Sequence, residues 1–147
     1  MTTLAEVSRL MALDNGLCVV STVRADGSVQ SSLVNAGVLA HPISNADALG
    51  FVAAGRARKL VNLRARPRLT AVAHAGWEWA AVEGSVNVIG PDDPVSGIDA
   101  EALRLLHRAV FTAAGGTHDD WPTFDAVMVA ERRTVVLVTP ERVYSNG

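Results

Sequence analysis

Cysteine, lysine and tyrosine each occur once in these 147 residues, as Cys18, Lys59 and Tyr144. One cysteine excludes an internal disulfide, and its place in the apolar run Leu17-Cys18-Val19-Val20 marks it as a core residue and not a nucleophile. No stretch reaches the roughly 18 apolar residues that a spanning helix needs. The start, Met1-Thr2-Thr3-Leu4-Ala5-Glu6, lacks the basic and long apolar regions of a signal peptide, so a soluble cytoplasmic protein with no membrane partner is expected. An excess of positive charge is also missing. Thirteen Lys/Arg stand against fifteen Asp/Glu, and a pI near 6.0 argues against a nucleic-acid partner.

Catalytic signatures are absent too. There is no glycine-rich phosphate loop, no G-x-S-x-G turn and no H-E-x-x-H. His41, His74, His107 and His118 lack zinc-like spacing, so no metal site is expected, and His41 and His107 read as ordinary, partly exposed histidines. Glu78 and Glu83 are an odd number apart on one strand-like run and cannot act as a carboxylate pair. Without an acid, base or nucleophile in view, a bound cofactor becomes the natural carrier of any chemistry. No repeat, low-complexity tract or linker divides the chain. One domain over residues 1–147 is expected, long enough to bury about two-thirds of its surface.

What is present centres on Gly55-Arg56-Ala57-Arg58-Lys59-Leu60-Val61-Asn62-Leu63-Arg64-Ala65-Arg66-Pro67-Arg68, which holds six of the thirteen basic residues. It reads as a short helix opened by a glycine turn and stopped by Pro67. Lys59, Asn62 and Arg66 share one face, and Leu60 and Leu63 point to a core. A helix start favours anions, so Arg56, Arg58 and Lys59 form a candidate cradle for a phosphate or polycarboxylate, with Arg64 adding charge. A solvated basic face is the alternative reading.

Around this helix the pattern is mostly β. Thr3 and Glu6 form a capping-box pattern before a helix that ends near Asn15-Gly16. Leu17–Val23 and Val29–Leu39 flank Asp26-Gly27, a strong hairpin signal. The second of these strands has small residues and imperfect alternation. It reads either as a water-facing edge or as a surface on which something flat lies close to the backbone. Ala48–Ala54, Leu69–Ala75, Trp77–Ile89 with a bulge near Gly84, and Thr134–Thr139 running on to Tyr144 complete about six strands. Helices are expected over Asp99–Ala114, stopped by Gly115-Gly116, and after Asp119 or Asp120, with Trp121-Pro122 in the first turn. The class is mainly β of the α+β type, a β-barrel with several short helices.

In this order, the Asp26-Gly27 hairpin, Gln30-x-Ser32-x-x-Asn35, Lys59-x-x-Asn62-Leu63-Arg64-x-x-Pro67-Arg68, Trp77-x-Trp79-Ala80-x-Val82-Glu83-Gly84 and Arg132-Arg133 suggest a family. The chain resembles the pyridoxamine 5'-phosphate oxidase-like split β-barrels, above all their actinobacterial branch that binds the deazaflavin coenzyme F420. That resemblance implies a homodimer with cofactor grooves where two barrels meet. It implies a phosphate anchor at Lys59 and its neighbours Arg56 and Arg58, a flat ring along the backbone from Ser32 to Asn35, and cofactor contacts that include Gln30, Ser32, Val34, Asn35 and Asn62. Trp77 matches an aromatic position near the cofactor, or else is a barrel-end core residue. The strand from Gln30 to Asn35 lacks the basic residue of the FMN-dependent oxidases, and the chain closes on Val143-Tyr144-Ser145-Asn146-Gly147 without their Trp/Arg stretch. F420 is therefore expected, with FMN as the alternative. Heme lacks a placed axial histidine. The implied activity is hydride transfer from the reduced deazaflavin to an electron-poor organic acceptor, with water or Tyr144 as proton source. A non-catalytic cofactor carrier is the rival reading.

Overall fold

A computed structural model describes residues 1–147, and its six strands close into one antiparallel barrel in the order β1-β2-β3-β6-β5-β4. Helix α1 (Leu4–Leu13) comes first. Its N-cap is Thr3, but the expected capping box does not form. No side chain caps this end; the Thr3 carbonyl accepts from the N–H groups of Glu6 and Val7 instead. Strands β1 (Leu17–Val23) and β2 (Val29–Ala40) form the hairpin, whose turn is fixed where Asp26 accepts from the Ser28 N–H at 2.9 Å. Strand β3 (Asp47–Ala53) leads into α2 (Arg58–Ala65), which ends two residues before Pro67.

Strands β4 (Arg68–Ala75) and β5 (Glu78–Ile89) follow, joined by a turn that contains Trp77. Helix α3 (Ala100–Ala113) is capped by Asp99, which accepts from the Ala102 N–H, and α4 (Trp121–Ala130) is capped by Asp120. Strand β6 (Thr134–Ser145) runs unbroken through Pro140. The expected bulge lies between Glu83 and Gly84, opposite Pro140. Glycine is required there because a Cβ would sit 1.8 Å from the Thr139 carbonyl oxygen.

The apolar pattern explains the layers. Val7, Leu10 and Met11 of α1 and Leu60 and Leu63 of α2 enter the same core cluster as the barrel's inner face. Leu106 and Val110 of α3 pack outside the barrel on Ala48, Ile89, Val135 and Leu137. Strand β6 is therefore buried on both faces from Val135 to Val138, which is why those residues are apolar without alternation. Cys18 is in the core, as expected, and burial pushes its thiol pKa up to about 12.

Two histidines are more deeply placed than their sequence contexts suggest. His41 and His107 are buried, not partly exposed. The Ile43 N–H donates to His41 Nδ1, which leaves the Nε2–H to donate to Asn87 Oδ1 at 2.9 Å. His107 Nε2 bonds the Arg133 carbonyl at 2.9 Å. Glu78 and Glu83 do not pair with each other: Glu78 meets Arg9, and Glu83 accepts from Tyr144.

Candidate functional site

Strand β2 is an edge strand in its first half only. From Val29 to Asn35 it pairs with β1, and from Ala36 to Ala40 with β3. Its first half thus has one edge with no strand beside it. In an antiparallel pair alternate residues turn their N–H and C=O away from the partner, so this edge offers free backbone donors and acceptors. Burial does alternate along it, with Gln30, Ser32 and Val34 half-buried and Ser31, Leu33 and Asn35 exposed.

A groove of about 420 Å³ opens beside this edge. Leu33, Val34 and Asn35 form one wall, and Val52, Ala53, Ala54, Ala57 and Lys59 form the floor toward α2. Val110 and Phe111 of α3, its C-cap Ala114, Phe124 and Met128 of α4, and Arg133 close the far side. Eleven of these fourteen residues are hydrophobic, and none is acidic.

Gly55 explains how Arg133 reaches Lys59. The Gly55 N–H donates to the Glu131 carbonyl at 3.1 Å. A Cβ on Gly55 would sit 2.8 Å from the Arg132 carbonyl oxygen, so only glycine lets the α2 turn press against the β6 entry.

Lys59 is half-buried and has no carboxylate partner. Burial first, and then the charge of Arg133, hold its ammonium pKa below the usual lysine value. Arg56 and Arg58 are exposed and also lack ion pairs. The cluster is thus a set of cations with open valences, one of them at an apolar groove. A phosphate-bearing, ring-shaped cofactor fits this donor set: open backbone edge, apolar floor and uncompensated ammonium.

Other expected members of the cradle are occupied elsewhere. Arg64 binds Asp93 through two hydrogen bonds of 2.9 and 2.8 Å and adds no free charge. Arg66 donates from Nε to the Val23 carbonyl at 2.8 Å. Asn62 is 3 % exposed, and its Nδ2 donates to Thr22 Oγ1 at 3.0 Å and Gln30 Oε1 at 2.9 Å. Asn62 and Gln30 therefore form a buried polar tie between α2 and the β1–β2 hairpin. The helical face Lys59–Asn62–Arg66 is a mixed face, because β1 and β2 cover its middle.

Ser32 lies on the inward row with Gln30 and Val34 and does not line the groove. Trp77 is 90 % exposed in the β4–β5 turn, which overturns the barrel-end core reading and sets it apart from this groove. Tyr144 donates from Oη to Glu83 at 2.5 Å, and that bond raises its pKa.

Of the residues singled out in the sequence, Val34, Asn35 and Lys59 meet in the groove, with Arg56 and Arg58 at the neighbouring helix entry. The α3–α4 wall carried no signal of its own. Phe111, Phe124 and Met128 look like ordinary helix residues, and Ala53, Ala54 and Ala57 are small. Only the Arg132-Arg133 pair hinted at the far side.

No protein-family model matches the chain. Solved structures do. The conserved hypothetical protein Rv2991 of Mycobacterium tuberculosis aligns with 99 % of this chain and 84 % of its own, at TM-score 0.69 and 18 % identity. A pyridoxamine 5'-phosphate oxidase-related, FMN-binding protein of Nostoc punctiforme covers 96 % of this chain and 82 % of its own, at TM-score 0.64 and 12 % identity. An F420 reductase covers 88 % and 90 %, at TM-score 0.59 and 17 % identity. The fold is the split β-barrel of the pyridoxamine 5'-phosphate oxidase-like proteins. Its structural neighbours include flavin- and deazaflavin-associated barrels.

Proposed function

We propose that the protein is a deazaflavin-dependent reductase that binds F420 in the groove at the open edge of β2. The observation that carries this reading is Lys59, an ammonium without a carboxylate partner on the floor of a mostly apolar groove. In this reading Lys59 holds the phosphate, and Arg56 and Arg58 hold further anionic groups of the tail. Leu33, Val34 and Asn35 would hold the ring of such a cofactor. When bound, a reduced deazaflavin would supply hydride for an electron-poor organic acceptor. The protein's task is then to hold two molecules face to face and exclude water. Tyr144 is a poor proton donor in this scheme, since Glu83 holds its hydroxyl, and water serves instead. FMN is the alternative ligand of the same groove, supported by the FMN-binding neighbour.

The reading includes a homodimer. Val19, Val23, Val29 and Leu33 are exposed on β1 and β2, and the register places Val19 against Leu33 and Val23 against Val29. An apolar sheet face of this kind marks an interaction surface, and a second barrel seated there completes the groove.

Titration with F420 and with FMN tests the proposal. F420 is expected to bind tighter, with an affinity that rises with tail length and falls with salt, because exposed ion pairs are screened over about 10 Å at 0.1 M. Lys59→Ala should weaken binding about tenfold or more, as one charge-assisted hydrogen bond contributes about 1.5–3 kcal/mol. Unchanged affinity in that variant removes the anchor. Stoichiometric binding of reduced F420, with no oxidation by quinones or enones, favours the carrier reading.

A further inference from the structure

A second cavity, of about 520 Å³, lies between the β5–α3 loop, the first half of α3 and the end of α4. It shares only Met128 and Arg133 with the groove beside β2, so these two residues stand between the two spaces. Its size suits a small molecule, and Pro91, Pro94, Ile98, Leu103 and Val129 give it an apolar surface.

Charge in this lining is cancelled from within. Arg104 donates from Nε to Glu101 and from one Nη to Asp125, Arg132 pairs with Asp92, and Arg133 pairs with Glu131. Arginines take both oxygens of Asp125, and Asp99 caps its own helix by accepting from the Ala102 N–H. A charged ligand would have to break one of these pairs; a neutral one need not.

One polar atom of the lining is left without a partner. His107 is 5 % exposed, and its Nε2 bonds the Arg133 carbonyl at 2.9 Å. A carbonyl only accepts, so Nε2 carries the proton and Nδ1 is a bare lone-pair nitrogen. Burial above all lowers the pKa of this ring; the Arg133 charge acts in the same direction, and the Arg133 carbonyl and Asp125 act against it. His41 is the contrast, since the Ile43 N–H reaches its Nδ1 and Asn87 its Nε2. No sealed side-chain nitrogen or oxygen of the chain lacks a partner, so the His107 Nδ1 is open, and the space that its ring lines is this cavity. A cation is not what this atom awaits, because no three His, Cys, Asp or Glu side chains gather to hold one.

We propose that this cavity is a binding site for a neutral, mostly apolar small molecule bearing one O–H or N–H, which donates to His107 Nδ1 while Pro91, Pro94, Ile98, Leu103 and Val129 cover its body. The site is independent of the cofactor reading, since it uses neither Lys59 nor the edge of β2. Its specificity comes from the cost of covering Nδ1: a ligand of the same shape without a donor strips water from that nitrogen and returns nothing.

The test uses two probes with one ring system on the full chain: 2-naphthol, and its methyl ether 2-methoxynaphthalene, which lacks the O–H. Equilibrium dialysis should show 2-naphthol bound about tenfold tighter than the ether. His107→Gln keeps an N–H for the Arg133 carbonyl and removes the ring acceptor. In that variant 2-naphthol should weaken about tenfold, to the level of the ether, while the ether stays within about twofold. In the parent, long-range proton–nitrogen NMR should show His107 Nδ1 as a bare nitrogen whose resonance moves upfield with 2-naphthol and not with the ether. The His41 Nδ1 resonance should stay in place with both. Absence of 2-naphthol binding, equal affinity for the two probes, a preference that survives in His107→Gln, or an unmoved His107 Nδ1 resonance would each overturn the site. Should circular dichroism show His107→Gln to be unfolded, the probe preference and the Nδ1 resonance of the parent settle the question without it. Failure of both F420 and FMN to bind would remove the cofactor reading and leave this site standing.

Discussion

Asn62 offers the sharpest test of how the basic helix is used. Sequence and resemblance place it among the cofactor contacts, whereas the structure buries it in a tie with Thr22 and Gln30. Asn62→Ala removes two neutral hydrogen bonds, each contributing about 1 kcal/mol, and strands the Thr22 hydroxyl, itself 1 % exposed. Alanine returns about 0.5 kcal/mol through its higher helix propensity. The net loss is about 2 kcal/mol. With an unfolding entropy of about 2.1 cal/mol/K per residue, that lowers Tm by roughly 6 °C. Urea denaturation and calorimetry measure the change at fixed protein concentration. A double-mutant cycle with Gln30→Ala isolates the shared bond, with about 1 kcal/mol of coupling expected. Affinity for F420 should stay within about threefold, since Asn62 does not face the groove. A variant as stable as the parent but more than tenfold weaker in cofactor binding would refute this account.

Further expectations concern the anchor, the bulge and the assembly. Because the folded-state pKa of Lys59 is depressed, its protonated form is lost at a lower pH than an ordinary lysine's. Anion affinity should therefore fall as pH rises through that depressed value, below 10.5, and Lys59→Arg should abolish the fall. By linkage, Lys59 penalises the fold while it is protonated there, so its contribution to stability improves with pH between its folded and unfolded pKa values. Gly84→Ala should cost about 3 kcal/mol or more, because the new methyl would collide with the Thr139 carbonyl, an immovable backbone atom; a chemical denaturation curve unchanged from the parent would contradict the bulge geometry. Sedimentation should give a dimer at micromolar concentration, and Leu33→Asp should yield monomers by placing a charge on the open β1–β2 face. A monomeric parent would remove both the interface and the completed groove.

Features set by short-range rules were legible before folding. Asp26-Gly27 made a hairpin because its turn chemistry is local, and Asp99 with Gly115 bounded α3 for the same reason. The apolar run Val135–Val138 announced a strand, and the clustering of arginines around Lys59 was plain in the sequence. The resemblance motifs, spread in order along the chain, led to the split barrel. Partner choice was not legible. Arg56, Arg58, Arg64 and Arg66 look alike in sequence, yet Arg64 is consumed by Asp93 and Arg66 by the Val23 carbonyl, 29 and 43 positions away. Thr3 and Glu6 match a capping box, but no capping bond forms. Asn62 sits at the right helical spacing for a ligand face, and only the closure of β1 and β2 over that face buries it. The groove wall was hidden for the same reason. Phe111, Phe124, Met128 and Arg133 come from α3, α4 and the entry to β6, and they meet Lys59 because Gly55 lets two distant backbones touch. Helical spacing and turn propensity act over a few residues, so sequence determined the elements and the concentration of positive charge around α2. Which cations remain unpaired, and what stands opposite them, depends on contacts between segments remote in the chain, and the tertiary structure alone decided those.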